Sequence, residues 1–117
     1  MKIKRQGFVW DYSRKSDMLN IHKAERKVDG SAEFEDFTID FDGEGQVSGI
    51  EIAYASEFLS DAGIQKEQLA KIKEAEIIVN KKNNYAVIWT KLSLPNLSES
   101  GEAVVEKKIT LPVPIIN

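Results

Sequence analysis

Four acidic side chains lie at the spacing of a calcium-binding loop in the segment TIDFDGEGQVSGIE. Asp40, Asp42, Glu44 and Glu51 occupy loop positions one, three, five and twelve, and Gly45 occupies position six. Position five normally carries Asp or Asn, however, and the residues before Asp40 alternate like a strand instead of forming an entering helix. Acids and glycines at a corner are also typical of tight hairpin turns. We therefore favour a hairpin turn and keep a calcium site at these four acids as the weaker alternative.

A second group of polar residues could form a functional surface. His22 is the only histidine, and the alternation in DMLNIHK places it opposite the apolar side chains of its strand. One histidine in a chain without cysteine cannot build the usual zinc sites, so we assign no catalytic residue and no cofactor. Glu51 and Ser56 lie where a strand gives way to a helix, and we expect them to face the same side as Asp17 and His22. These four residues are either local caps or a site.

Alternating apolar residues predict that β-hairpins position these groups. The pattern of FVWDY and LNI predicts a first hairpin with an aromatic inner face, and FTIDF followed by VSGIEIA predicts a second one. Residues 28–32 are interpreted as a connection between the two hairpins. Gly49 lies inside a predicted strand, which is typical of a bulge or of a close approach by another backbone.

Two short helices and more strands are predicted further along the chain. Residues 54–62 read as a helix with Ser56 as its N-cap and with Gly63 ending it in a left-handed conformation. A second helix is predicted over residues 66–74. The runs at 77–79 and 85–94 predict a hairpin with the turn KKNN, followed by a strand over 103–111. Residues 85–94 are apolar on both parities, which is typical of a central strand covered on both faces.

The C-terminal segment ITLPVPIIN has a directional pattern. Leu111, Val113 and Ile115 share one parity, whereas Pro112 and Pro114 share the other, so one edge of an extended segment would lack two N–H donors. We favour an edge strand protected against aggregation. The alternative is an apolar arm in which Leu111, Val113 and Ile115 dock on a second subunit.

Composition limits the classes of protein that fit. A chain of 117 residues is long enough for one core, and we expect one domain over 1–117, with halves at 8–60 and 64–117. The chain has no Cys, which excludes disulfides and thiolate chemistry. No apolar run is long enough for a membrane helix or a signal peptide, so we expect a cytoplasmic protein with no membrane partner. Residues 28–61 contain ten acids and no base, which we expect the basic N-terminal strands to neutralise; nucleic-acid binding is not favoured.

Two segments resemble a known family. YSRKSDMLNI, from Tyr12, and IDFDGEGQVSGIEIAYAS, ending at Ser56, are similar to the signatures of a prokaryotic family of small uncharacterised proteins, the domain of unknown function twenty-two eighty-three. The residues that fall on the family pattern are Tyr12, Asp17, Leu19, Ile21, Asp40, Asp42, Gly45, Gly49, Ile50, Glu51, Ile52, Ala55 and Ser56. Ser13 and Arg14 replace the Asp-Pro that often follows the Tyr, and short family members lack the second half of this chain. The resemblance implies an α+β fold rich in β-hairpins and no assigned activity, and family members beside toxin-like genes imply an antitoxin-like binding role.

Together these features predict an α+β domain built from antiparallel β-hairpins, with one or two short helices in the middle and a C-terminal β-hairpin. The favoured function is a non-enzymatic interaction domain that binds a protein partner or forms a homodimer. The alternative is a domain that binds a small molecule or metal, or a weak hydrolase, with Asp17, His22, Glu51 and Ser56 as its site.

Overall fold

The computed structural model describes residues 7–25, 27–96 and 101–112, which form eight strands and three short helical segments. The strands are β1 Phe8–Ser13, β2 Met18–Lys23, β3 Gly30–Phe34, β4 Phe37–Phe41, β5 Val47–Ile52, β6 Glu74–Lys81, β7 Tyr85–Pro95 and β8 Glu102–Pro112. The helical segments are α1 Ala55–Phe58, a 3₁₀ turn Ser60–Ala62 and α2 Lys66–Leu69. The predicted combination of antiparallel strands with two short helices is confirmed at this level.

The first five strands form one antiparallel sheet in the order β1-β2-β5-β4-β3, called here the first sheet. Both predicted hairpins are present, as β1-β2 and β4-β5. The predicted connection at residues 28–32 is wrong in part, because Gly30–Phe34 forms the edge strand β3 and pairs with β4 alone. The sequence GSAEF shows little apolar alternation, because this strand lies at an exposed edge of the sheet, so the pattern does not predict it.

The last three strands form a second antiparallel sheet in the order β6-β7-β8, called here the second sheet. The predicted hairpin at 77–94 is confirmed, and β8 adds a third strand at the edge. The prediction that β7 is covered on both faces is wrong. Ala86, Ile88 and Leu92 are buried on one face, whereas Tyr85 on the other face is 40% exposed.

The core lies between the inner faces of the two sheets, and β6 lies next to β1 and β2. Alternate residues of β2, β5 and β7 point inward, as period-two alternation requires. The side chains that are almost completely buried include Leu19, Ile21, Ile39, Ile52, Ile88, Leu92, Leu94 and Leu111. Leu59 and Leu69 from the helical segments join the same cluster.

The helical segments are shorter than the sequence pattern predicts. Helix α1 ends at Phe58 and is followed by the 3₁₀ turn, and Gly63 takes the predicted left-handed conformation with φ 76°. Helix α2 ends at Leu69, because the chain enters β6 at Glu74, which pairs with Ser93. No helix in the described residues is long and apolar enough to cross a membrane.

Candidate functional site

The side chains of Tyr12, on β1, and Ser56, in α1, meet at the carboxylate of Asp17 in the β1-β2 turn. The hydroxyl of Tyr12 donates to Oδ1 of Asp17 at 2.6 Å, and the hydroxyl of Ser56 donates to Oδ2 at 2.6 Å. The backbone N–H of Ser56 also donates to Oδ1, at 3.1 Å. We call this group the Tyr12–Asp17–Ser56 network. It joins the β1-β2 turn to the first turn of α1.

The backbone takes the same uncommon conformation in the β1-β2 turn and just before α1. Asp17 and Tyr54 each have φ of 54°, in the left-handed region that non-glycine residues seldom adopt. The carbonyl oxygen of Asp17 accepts a hydrogen bond from the N–H of Ala55 at 3.0 Å. The turn therefore receives donors from α1 through both its side chain and its backbone.

The predicted N-cap role of Ser56 is wrong. Helix α1 begins at Ala55, with Tyr54 in the N-cap position, and Ser56 lies inside the helix. Its hydroxyl is used by Asp17 instead of by the helix itself. Asp17 takes over the capping function, because its carboxylate accepts the free N–H of Ser56 from across the sheet.

The ionisation of the network is fixed by these contacts. Burial alone would raise the pKa of Asp17, but the hydrogen bonds from Ser56 and Tyr12 outweigh it and lower the pKa of this carboxyl below its usual value. Burial and the hydrogen bond to Asp17 raise the pKa of the Tyr12 hydroxyl well above its usual value. Asp17 is thus an anion and Tyr12 a neutral donor at neutral pH.

This arrangement is poorly suited to hydrolysis. A carboxylate with a lowered pKa is a weak general base, and Asp17 is only 8% exposed. The hydroxyl of Ser56 has this carboxylate as its partner, with no histidine in the network to take its proton. The network is chemically suited to holding two segments of chain together.

The structure separates the four residues predicted to share a surface. Asp17 and Ser56 meet in the network, whereas His22 and Glu51 lie on the face of the first sheet that is turned away from the core. His22 pairs with Gly49 and Glu51 pairs with Asn20 across β2 and β5. Nδ1 of His22 lies 2.8 Å from the carbonyl oxygen of Lys23, to which it donates when it carries the proton.

Gly49 allows β2 and β5 to approach each other at His22. A Cβ atom added at Gly49 would lie 2.8 Å from the Cβ of His22 and 3.3 Å from the carbonyl oxygen of Ile21. The sequence prediction of a bulge or close approach at this glycine is confirmed, since the β4-β5 register also shifts between Asp40 and Phe41.

The acids at calcium-loop spacing have different local roles. Oδ1 of Asp42 accepts the backbone N–H groups of Glu44 and Gln46, at 2.9 and 3.0 Å, which closes the β4-β5 turn. Asp40 lies on β4 and accepts the hydroxyl of Ser31 at 2.7 Å. Glu51 lies on β5, opposite Thr38. The predicted hairpin is thus confirmed. Among the described residues, no group of three His, Asp or Glu side chains is placed so that it could hold a metal ion.

The predicted C-terminal interface is only partly described. Leu111 is buried in the core with no exposed surface, so it is not available to a partner. Val113 and Ile115 lie outside the described residues. Pro112 pairs with Tyr85 at the end of β8, which is an edge strand as favoured from the sequence.

One surface was missed by the sequence interpretation. The face of the second sheet that points away from the core, called here the outer face, carries Ile78, Tyr85, Val87 and Trp89. Ile78 is 47% exposed and Tyr85 is 40% exposed. The sequence does indicate this surface, because β7 has a second set of alternating apolar residues, which also fits a face buried under another layer.

The fold and the network define a small β-rich α+β domain whose first sheet is fastened internally by a tyrosine, an aspartate and a serine. Residues 10–56 match the family model described as "Protein of unknown function (DUF2283)". The resemblance found in the sequence is therefore confirmed over this segment, which runs from β1 into α1 and contains the complete network. No curated protein and no solved structure matches the chain.

Proposed function

We propose that the protein is a non-enzymatic interaction domain that forms a homodimer through the outer face of the second sheet. The observation that carries the proposal is the exposed apolar strip on this face. Ile78 lies directly opposite Trp89, and Val87 and Tyr85 continue the strip along β7. Exposed aromatic and aliphatic side chains grouped on a flat face are typical of a protein interface.

The strip is suited to contact with another flat surface. Adjacent side chains on one face of a sheet stand side by side, so they can bury area together without rearrangement of the backbone. Tyr and Trp contribute large rigid areas at a low cost in conformational entropy. The ammonium group of Lys108 lies 5.8 Å from the ring centre of Trp89, at the border of the strip.

The charges around the strip favour a second copy of the chain as the partner. Glu76, Lys91 and Glu106 form one row across the three strands, and Lys108 lies in the next row. Around the apolar centre, this face carries four acids and two bases, namely Glu74, Glu76, Glu102 and Glu106 against Lys91 and Lys108. A face of mixed sign can place its acids against its own bases across a two-fold axis.

The experiment compares two substitutions of matched exposure. Ile78 is 47% exposed on the outer face, and Val28 is 49% exposed before β3. Ile78→Lys places a charge in the apolar strip and should weaken dimerisation by about tenfold or more, whereas Val28→Lys should leave it unchanged. Sedimentation equilibrium over a range of protein concentrations measures the dissociation constant.

The control for folding is the circular dichroism spectrum, which both variants should share with the parent protein. A parent chain that remains monomeric at every concentration would contradict the proposal. Equal dissociation constants for the parent and Ile78→Lys would show that the dimer interface does not include the outer face.

A further inference from the structure

A cleft opens at one end of the core, between the β4-β5 turn and the end of β6. Its volume is about 470 Å³, which lies within the range of sites for small molecules. Phe8, Val47, Ile77 and Val79 form an apolar floor, and Lys23 and Lys81 also line it. The cleft lies on the inner side of the second sheet, so it is separate from the outer face.

The two lysines reach the cleft because of strand alternation. On β2 the inward-facing residues are Leu19, Ile21 and Lys23, and on β6 they end with Val79 and Lys81. Each series of core residues thus ends in a lysine at the same end of the molecule. A long alkyl stem can follow the apolar floor while the ammonium group stays at the opening.

Among the residues that line the cleft, positive charges outnumber negative ones. Neither Lys23 nor Lys81 forms an ion pair with another described residue. Glu44 is the acidic residue among those that line the cleft. Lys23 also contributes to the lowered pKa of Asp42, after the hydrogen bonds from Gln46 and Glu44, which places its charge near the β4-β5 turn. Two cations against one anion leave the lining positive.

The floor has one exposed side chain that a ligand could cover. Val79 is 40% exposed, although its neighbour Ile77 on the same face of β6 is only 6% exposed. An aliphatic chain lying on Val79 would extend the core and remove this surface from water. The apolar floor and the two lysines therefore suit a small molecule that has an apolar tail and an anionic head.

We propose that this cleft binds a free aliphatic carboxylate of medium chain length, with its tail on Phe8, Val47 and Val79 and its carboxylate between Lys23 and Lys81. Affinity should rise with tail length by about fourfold for each CH₂ that is buried. The head contributes by Coulomb attraction to two ammonium groups that have no other ion-pair partner in the described chain.

Isothermal titration calorimetry with hexanoate, octanoate and decanoate tests the proposal on the full chain. Octanoate should bind more tightly than hexanoate, and decanoate at least as tightly as octanoate. Octanol and octyltrimethylammonium, which share the tail but not the negative head, should bind at least tenfold more weakly than octanoate. No binding of any carboxylate, or equal binding of octanol, would overturn the proposal.

Substitutions locate the site. Lys23→Gln and Lys81→Gln should each weaken octanoate binding about three- to tenfold. The control is Lys15→Gln, which should leave binding unchanged because Lys15 is exposed in the β1-β2 turn. Ile78→Lys should also leave it unchanged, since Ile78 lies on the opposite face of β6. If Lys23→Gln fails to fold, Lys81→Gln alone decides the result, because Lys81 is exposed. Octanoate binding that ignores Lys81 would overturn the assignment.

Discussion

The first sheet and the outer face of the second sheet differ in what their side chains contact. In the first sheet, acidic and hydroxyl groups are directed to neighbouring segments of the same chain, as in the Tyr12–Asp17–Ser56 network and the Asp42 turn. In the second sheet, apolar side chains such as Ile78 and Tyr85 remain exposed on the outer face. The segment that matches a family model therefore carries groups that hold the fold together, and the outer face that we propose as a dimer interface lies outside that segment.

Asp17→Ala is the substitution with the largest expected effect on the first sheet. It removes the acceptor of three hydrogen bonds, leaves their three donors without this partner, and places Ala at φ 54°. We expect the free energy of unfolding to fall by about 3 kcal/mol, measured by urea denaturation.

Asp17→Asn is the matched control, because Asn tolerates the left-handed region and retains one acceptor oxygen. Its expected loss is about half as large. Folded Asp17→Asn should dimerise like the parent chain. A loss of dimerisation without a loss of stability would break the contrast between the two sheets, since it would place the partner surface at the network.

Gly49→Ala tests whether the His22 side of the first sheet has a structural role. The added Cβ would lie 2.8 Å from the Cβ of His22, so the two strands must separate, at an expected cost of about 2 kcal/mol. Gly30→Ala is the control, because nothing lies within 4 Å of a Cβ at that strand position. Thermal and urea unfolding of both variants give the comparison, and equal stability of the two variants would contradict the close approach.

The sequence predicted the local parts of this fold well and the contacts between distant parts poorly. Alternation predicted both hairpins of the first sheet, and Gly63 ends a helical turn as predicted. The local pattern predicts that Ser56 caps its own helix, whereas its actual partner, Asp17, lies 39 residues earlier in the chain. The outer face was missed for a related reason: a strand that is apolar on both parities has the same sequence pattern whether its second face is covered or exposed.

Acid should weaken the first sheet through Asp17. The pKa of Asp17 is lower in the folded chain than its ordinary value of 3.8, so its contribution to stability is complete above about pH 5 and is lost as the pH falls through the folded pKa. Asp17→Asn should therefore show a smaller decrease in stability between pH 5 and pH 2.

Some acid dependence should remain in that variant, since the pKa values of Asp42 and Asp61 are also lowered, by backbone hydrogen bonds and by Lys107 respectively. Urea denaturation at a series of pH values measures the difference. Parallel pH profiles for the parent chain and Asp17→Asn would show that the network does not depend on the charge of Asp17.

Ser48→Ala should have the smallest effect, and of the opposite sign. Ser48 lies on β5 at the irregularity opposite Asp40 and Phe41, is 1% exposed, and its hydroxyl has no hydrogen-bond partner among the described residues. Removing a buried hydroxyl without a partner eliminates its desolvation cost and leaves little empty space, so we expect stability to rise by about 1 kcal/mol or less in urea denaturation. Polar groups of the first sheet stabilise the fold only where a second group forms a hydrogen bond with them, as at Asp17. A destabilised Ser48→Ala would mean that this hydroxyl too has a partner in solution, and the contrast between Ser48 and Ser56 would then disappear.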